Sequence, residues 1–316
     1  MSTGGGTRAI IAALGANLGI AVAKLTGFVV TGSSSMLAES VHSLADSGNQ
    51  ALLLLGRHRA RRAADEEHPF GYGRDRYFYA FVVALVIFAL GSLFAFYEGL
   101  HKLAHPAELE APVVALVILA VAIGLEGFSF RTAVGEARRL RGGASWFAYI
   151  RRAKAPELPV VLLEDLAALL GLVFALVGVG LTALTGDGRW DAAGTLAIAV
   201  LLGVVATVLV IETKSLLIGE GAAPDVVRQI RAALPGPGIE RVIHLRTLHL
   251  GPEELLVAAK VAMPAVVELG QVAQAIDDAE LRIRAAVPTA RLIYLEPDLD
   301  RGMVPEPLDP AAEPLG

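Results

Sequence analysis

Ser33–Arg57 reads SSSMLAESVHSLADSGNQALLLLGR, a stretch long enough to cross a bilayer that nevertheless carries Glu39, His42, Asp46 and Asn49. At about 100° per residue these positions, three, four and three apart, fall on one stripe of a single helix. Ionisable groups are costly at membrane depth, so such a stripe faces a protein interior or a wet cavity. An imidazole and a carboxylate one turn apart are also a ready pair of ligands for a divalent metal. The helix therefore reads as one half of an ion site.

The composition agrees. Of 316 residues, 54% are hydrophobic and 19% charged, and the mean hydropathy is +0.58. That is the profile of a polytopic membrane protein. A net charge of −5 gives no footprint for nucleic acid. With no cysteine in the chain, disulfides and thiolate sites are excluded, so a bound metal would rest on His, carboxylate, carbonyl or water. The opening MSTGGGTRAI lacks the marks of a secretory signal or an Arg-rich transit peptide. Residues 1–8 are expected to be flexible, with the first span starting at Ala9.

Six apolar segments of about bilayer length can be drawn: Ala9–Thr31, Ser35–Gly56, Tyr79–Leu100, Ala111–Phe130, Pro159–Leu184 and Trp190–Ile211. Short turn-rich bends join the first two and the last two into hairpins. Arg57, Arg59, Arg61, Arg62, Arg74 and Arg76 lie between the second and third segments. A second basic run, from Arg131 to Lys154, lies between the fourth and fifth. The positive-inside rule places both basic connections, and both termini, in the cytoplasm. After residue 213 the pattern becomes helix, strand, strand, helix, strand over Pro224–Leu234, Ile239–Leu250, Leu255–Met263, Val266–Ala286 and Arg291–Glu296. This order suggests a small α+β domain of split-βαβ type over 214–298. The Pro- and acid-rich residues 299–316 read as a disordered tail.

A second polar intrusion, Glu164-Asp165, lies early in the fifth segment. Counting 1.5 Å per residue from opposite faces, Asp46 and Asp165 reach similar depths. His42, Asp46 and Asp165 supply three ligands of a zinc-like site, and Glu39, Glu164 or water could be the fourth. Protons compete with a metal for such groups, which is the physical basis of metal–proton exchange. Asn49 and Gln50 are expected to make helix-packing hydrogen bonds.

SMLAESVHSLADSGNQALLLLG followed by DEEHPFGYGRDR resembles the cation diffusion facilitator family, and most of all the branch that contains the mitochondrial zinc transporters of eukaryotes. The resemblance runs from Ala9 to about Glu296. It implies a homodimer of six-helix subunits, each with a cytoplasmic ferredoxin-like dimerisation domain. It also implies export of Zn²⁺, or of Mn²⁺, Fe²⁺ or Co²⁺, against H⁺ by alternating access. In that family the second and fifth helices each give two ligands. His42, Asp46 and Asp165 match three of them, while Val161 stands where the other histidine is usual. The result is an oxygen-rich site that harder ions tolerate. In the loop after the second helix, Asp65 and His68 match a further metal site seen in some members, with Tyr72 in place of its last ligand. In the C-terminal domain Ile243, Ala259 and Tyr294 replace the family's histidines and only Glu296 is acidic, so no binuclear zinc site is expected there.

The favoured function is thus a proton-coupled divalent-cation exporter, not an enzyme, in a multi-pass membrane setting read as a bacterial plasma membrane. A non-transporting scaffold partner is the alternative that Val161 motivates. An intramembrane hydrolase using His42 as base is disfavoured, because no nucleophile or His-Glu-x-x-His motif accompanies it.

Overall fold

The computed structural model describes residues 18–106 and 111–299. The expected flexible N-terminus, the start of the first span and the tail beyond Leu299 lie outside them. The chain divides into two compact units, with boundaries at Ala63/Ala64, Gly73/Arg74 and Leu217/Ile218.

The first unit is helical. Its helices are α1 (Leu18–Thr31), α2 (Ser34–Arg59), α3 (Asp75–Ala104), α4 (Pro112–Arg141), α5 (Trp146–Arg152), α6 (Glu157–Thr185) and α7 (Arg189–Ile218). Four of them, α3, α4, α6 and α7, are long and apolar enough to cross a membrane. The 26 residues of α2 suffice in length, but its polar stripe lowers its hydropathy. Met36, Leu119, Leu172, Ile198 and Leu202 fill the shared core. Val29, Val113, Phe128, Leu184 and Val200 stay exposed on outer faces, as expected where lipid is the solvent.

The basic run after the fourth segment is not a loop. α4 continues to Arg141 with Arg138, Arg139 and Arg141 in its last turn. Those residues are good helix formers, and cations at a helix C-terminus meet a favourable dipole. The seven-residue α5, capped by Ser145, fills part of the remaining connection.

Two features lock the helices together at the end where α2 begins. Asp191, in the first turn of α7 and fully buried, accepts from the backbone N–H groups of Ser34 (2.8 Å) and Ser35 (3.4 Å) and from the hydroxyls of Ser33 (2.9 Å) and Ser34 (3.0 Å). A carboxylate from one helix thereby satisfies the orphan donors of another's N-terminus. Nearby, Gly178 of α6 and Gly194 of α7 bring two backbones together. A Cβ on Gly178 would stand 2.9 Å from the Trp190 carbonyl oxygen, the small-residue packing that membrane helices use.

The second unit joins the segment 64–73 to α8 (Pro224–Ala233), β1 (Arg241–Gly251), β2 (Glu254–Met263), α9 (Leu269–Ala286) and β3 (Ala290–Leu299). The sheet order is β1-β2-β3, with β1 antiparallel and β3 parallel to the central β2. Buried alternation on β2 (Leu255, Val257, Ala259, Val261) packs against Ile230 of α8 and Ile283 of α9. The expected chain order of helix, strand, strand, helix and strand is present, with β3 reaching Leu299 and pairing directly with β2 rather than across an intervening strand. Lys260 ties β2 to β3 through Asp298 (3.0 Å) and Glu296 (3.1 Å), and its hydrogen bonds to those carboxylates raise its pKa. The acidic Glu296 is therefore already engaged.

Two stability outcomes follow from the helix contacts. Asp191→Ala leaves four donors without their acceptor and is expected to cost about 2–4 kcal/mol, read as a lower thermal unfolding midpoint in detergent. Gly178→Ala, meeting backbone that cannot yield like a side chain, is expected to cost about 1–3 kcal/mol in the same assay.

Candidate functional site

The polar stripe of α2 faces inward along its whole length: Glu39, His42, Asp46 and Asn49 are all buried. His42 Nδ1 lies 3.5 Å from Asp46 Oδ1, one turn away. Glu164 and Asp165 of α6 are buried as well and, about 100° apart on their helix, turn to different neighbours. Glu164 faces α2, where Asn49 Nδ2 donates to its Oε1 at 3.0 Å and the Asp46 carboxyl lies within electrostatic reach. Asp165 faces α4 and accepts from the Ser129 hydroxyl at 3.1 Å. Glu164 Oε2 is buried with no hydrogen-bond partner, a costly state unless something else is meant to meet it.

A cavity of about 710 Å³ leads to this level from the basic end of the helices. Asp165, Ser129 and Gln50 line it toward the interior, and Arg57, Glu136 and Glu157 toward its mouth. Arg76 pairs with Glu157 at that end. At the opposite end the Asp191–serine network closes the bundle. Among the described residues, the cavity thus runs to the arginine-rich side, and the Asp191–serine network ties the helices together on the other.

Among the described residues, no three His, Asp or Glu side chains stand close enough to hold one ion. His42 and Asp46 are together, Glu164 is held by Asn49 on the α2 side of its helix, and Asp165 is turned toward Ser129. Glu39 is fully buried and bound by Lys24 Nζ at 3.1 Å. Val161 lines the cavity one turn before Asp165. In the segment 64–73, Asp65 accepts from the His68 backbone N–H (2.7 Å) and the Tyr72 hydroxyl (2.6 Å), with the His68 ring 3.6 Å away. Tyr72 therefore spends its donor on the carboxylate that a metal would need.

Besides Asp191, two buried ionisable residues escaped the sequence reading. Lys24 has no exposed surface, and Glu126 of α4, 5% exposed, is one turn from Ser129 on the face toward α6. Glu126 acts electrostatically on Asp46, Glu164 and Asp165. Each is a single charge in an otherwise apolar run, a signal that the rarity of such charges in spans would have flagged.

Residues 10–218 match the cation efflux transmembrane domain, and the chain belongs to that family of membrane cation transporters, the cation diffusion facilitators. It is 39% identical over 223 residues to the "Proton-coupled zinc antiporter SLC30A9, mitochondrial" of Xenopus laevis, covering 70% of this chain and 40% of that protein. The human protein of the same name is 35% identical over the same length, covering 70% and 39%. The "Cation-efflux pump FieF" of Klebsiella pneumoniae is 30% identical over 253 residues, covering 79% of both. The match thus spans about two fifths of the full length of the zinc antiporters. Their mitochondrial designation does not support a bacterial membrane, whereas the pump of Klebsiella is bacterial.

Val161→His would place an imidazole on the cavity wall one turn from Asp165. Zinc affinity measured by calorimetry is expected to rise about tenfold relative to manganese, since nitrogen ligands favour zinc. An unchanged zinc-to-manganese ratio would count against Asp165 as a ligand.

Proposed function

We propose that the chain is a proton-coupled exporter of divalent cations, zinc first among them, that works as a homodimer by alternating access. His42, Asp46 and Asp165 bind the cargo, and Glu164 completes the set in place of the histidine that Val161 replaces. One observation carries the reading: Asp46 of α2 and Glu164 and Asp165 of α6 are all buried, and Asp165 lines a cavity that runs toward the basic side. The relatives' names, zinc antiporter and cation-efflux pump, support the same class.

The mechanism follows from charge. Four acids at one level (Asp46, Glu126, Glu164 and Asp165) cannot all be ionised without a compensating cation, so protons hold the empty site together. A divalent ion arriving through the cavity displaces them, because it needs deprotonated carboxylates and a neutral imidazole. Turning Asp165 from Ser129 toward Asp46 would complete a tetrahedral set. Opening the far side then requires the Asp191–serine seal to part while the cavity closes. Uptake of protons from that side releases the ion, and the cycle exchanges metal for protons.

With the arginine-rich ends in the cytoplasm, the cavity faces the cytoplasm and export runs outward. Mn²⁺, Fe²⁺ and Co²⁺ are further cargoes that an oxygen-rich set would accept. The second unit is proposed as the dimerisation domain. Asp65 and His68, exposed and held by Tyr72, are assigned a turn-forming role rather than ligation.

In proteoliposomes under an imposed pH gradient, Asp46→Ala and Asp165→Ala are each expected to abolish zinc-dependent proton flux. Full flux in both variants would refute the assignment. A wild-type chain that moves no divalent ion would instead favour the scaffold reading.

A further inference from the structure

Lys24 of α1 donates to Glu39 Oε2 at 3.1 Å and to Ser43 Oγ at 2.6 Å, with neither Lys24 nor Glu39 exposed. The other oxygen of that carboxylate, Oε1, is buried with no hydrogen-bond partner. It presses against α6 at Gly171, where a Cβ would collide with it. Three helices therefore meet around one carboxylate, and Gly171 is the residue that lets it in.

The location separates this pair from the cargo level. Glu39 precedes Asp46 by seven residues, about 10 Å, and Gly171 follows Asp165 by six, about 9 Å. Both steps lead away from the cavity mouth and toward the Asp191–serine seal. The ion pair thus stands between the cargo level and the closed end. As a stabilising device it would be a poor choice, because apolar side chains of equal volume do as well or better. In a membrane helix such a pair marks a pathway.

We propose that Lys24 is a tethered stand-in for the cargo: its ammonium fills, at Glu39 and Ser43, a position that the divalent ion occupies on its way out. This rests on the transporter reading above. While the basic side is open, the lysine neutralises Glu39 and keeps a second ion from settling there. When the far side opens, the arriving dication outcompetes the single charge of the ammonium for Glu39. Glu126, which like Asp46 lies within electrostatic reach of Lys24, then offers the displaced ammonium a partner. The returning lysine expels the ion, so the exit position binds without trapping.

Equilibrium dialysis of the detergent-solubilised full chain with radiolabelled zinc tests this. Lys24→Met is expected to bind one zinc equivalent more than wild type at the same free concentration. The extra equivalent should vanish in K24M/E39Q and persist in K24M/D165N. A monodisperse, folded K24M that binds only the wild-type amount overturns the proposal. Glu39→Gln, which leaves the lysine an acceptor, provides a second arm should K24M not fold. Zinc efflux from loaded proteoliposomes is expected to fall about tenfold with the zinc Kd unchanged, and undiminished efflux overturns the proposal. If D165N alone transports zinc normally, the cargo-site assignment falls, while the extra equivalent in K24M still reports on Lys24.

Discussion

The structure depends on one constraint: among the described residues, the acids deep in the apolar helices turn into the bundle rather than toward hydrocarbon. Glu39, His42, Asp46, Glu164 and Asp165 all point into the bundle, and the positions of α1, α4, α6 and α7 around α2 follow from that. Each acid has found a local answer. Glu39 meets an ammonium, Asp46 an imidazole, Glu164 an amide, and Asp165 a hydroxyl and an open cavity. Asp191 answers differently, by capping the start of α2 with its full charge. Polar groups that would be liabilities in lipid thus become the fixed points of the fold.

These fixed points lie at three levels along α2. At its start the serines and Asp191 close the bundle. One turn and more further in, Lys24 and Glu39 form a neutral pair. At the depth of Asp46 and Glu164 the acids outnumber the nearby cations and the cavity reaches in. The arrangement is asymmetric. The charge imbalance sits at the end the cavity reaches, and the ion pair and the Asp191–serine network sit toward the other.

Much of this was legible in the chain. The three-four-three spacing of Glu39, His42, Asp46 and Asn49 is a helical stripe whatever surrounds it, and α2 buries it as a unit. The burial of Glu164 and Asp165 followed from the cost of acids within an apolar helix. The order of elements in the C-terminal unit followed from periodicity and turn residues. What escaped was tertiary. Lys24 and Glu39 are fifteen residues apart and meet only because α1 and α2 form a hairpin. Glu164 reached Asn49 while Asp165 turned to Ser129 because a 100° rotation separates adjacent residues, and sequence does not say which one faces α2. The continuation of α4 to Arg141 escaped because a drop in hydropathy marks the edge of the membrane, not the end of a helix.

The account turns on whether a small cation is held between α2 and α6. Anomalous diffraction at the zinc edge from crystals of the full chain grown with zinc tests this directly. The account predicts a peak within about 2.0–2.2 Å of carboxylate oxygens of Asp46 and Asp165 and of a ring nitrogen of His42. Zinc found only on the Asp65–His68 segment or the C-terminal unit, with α2 and α6 empty, would contradict it.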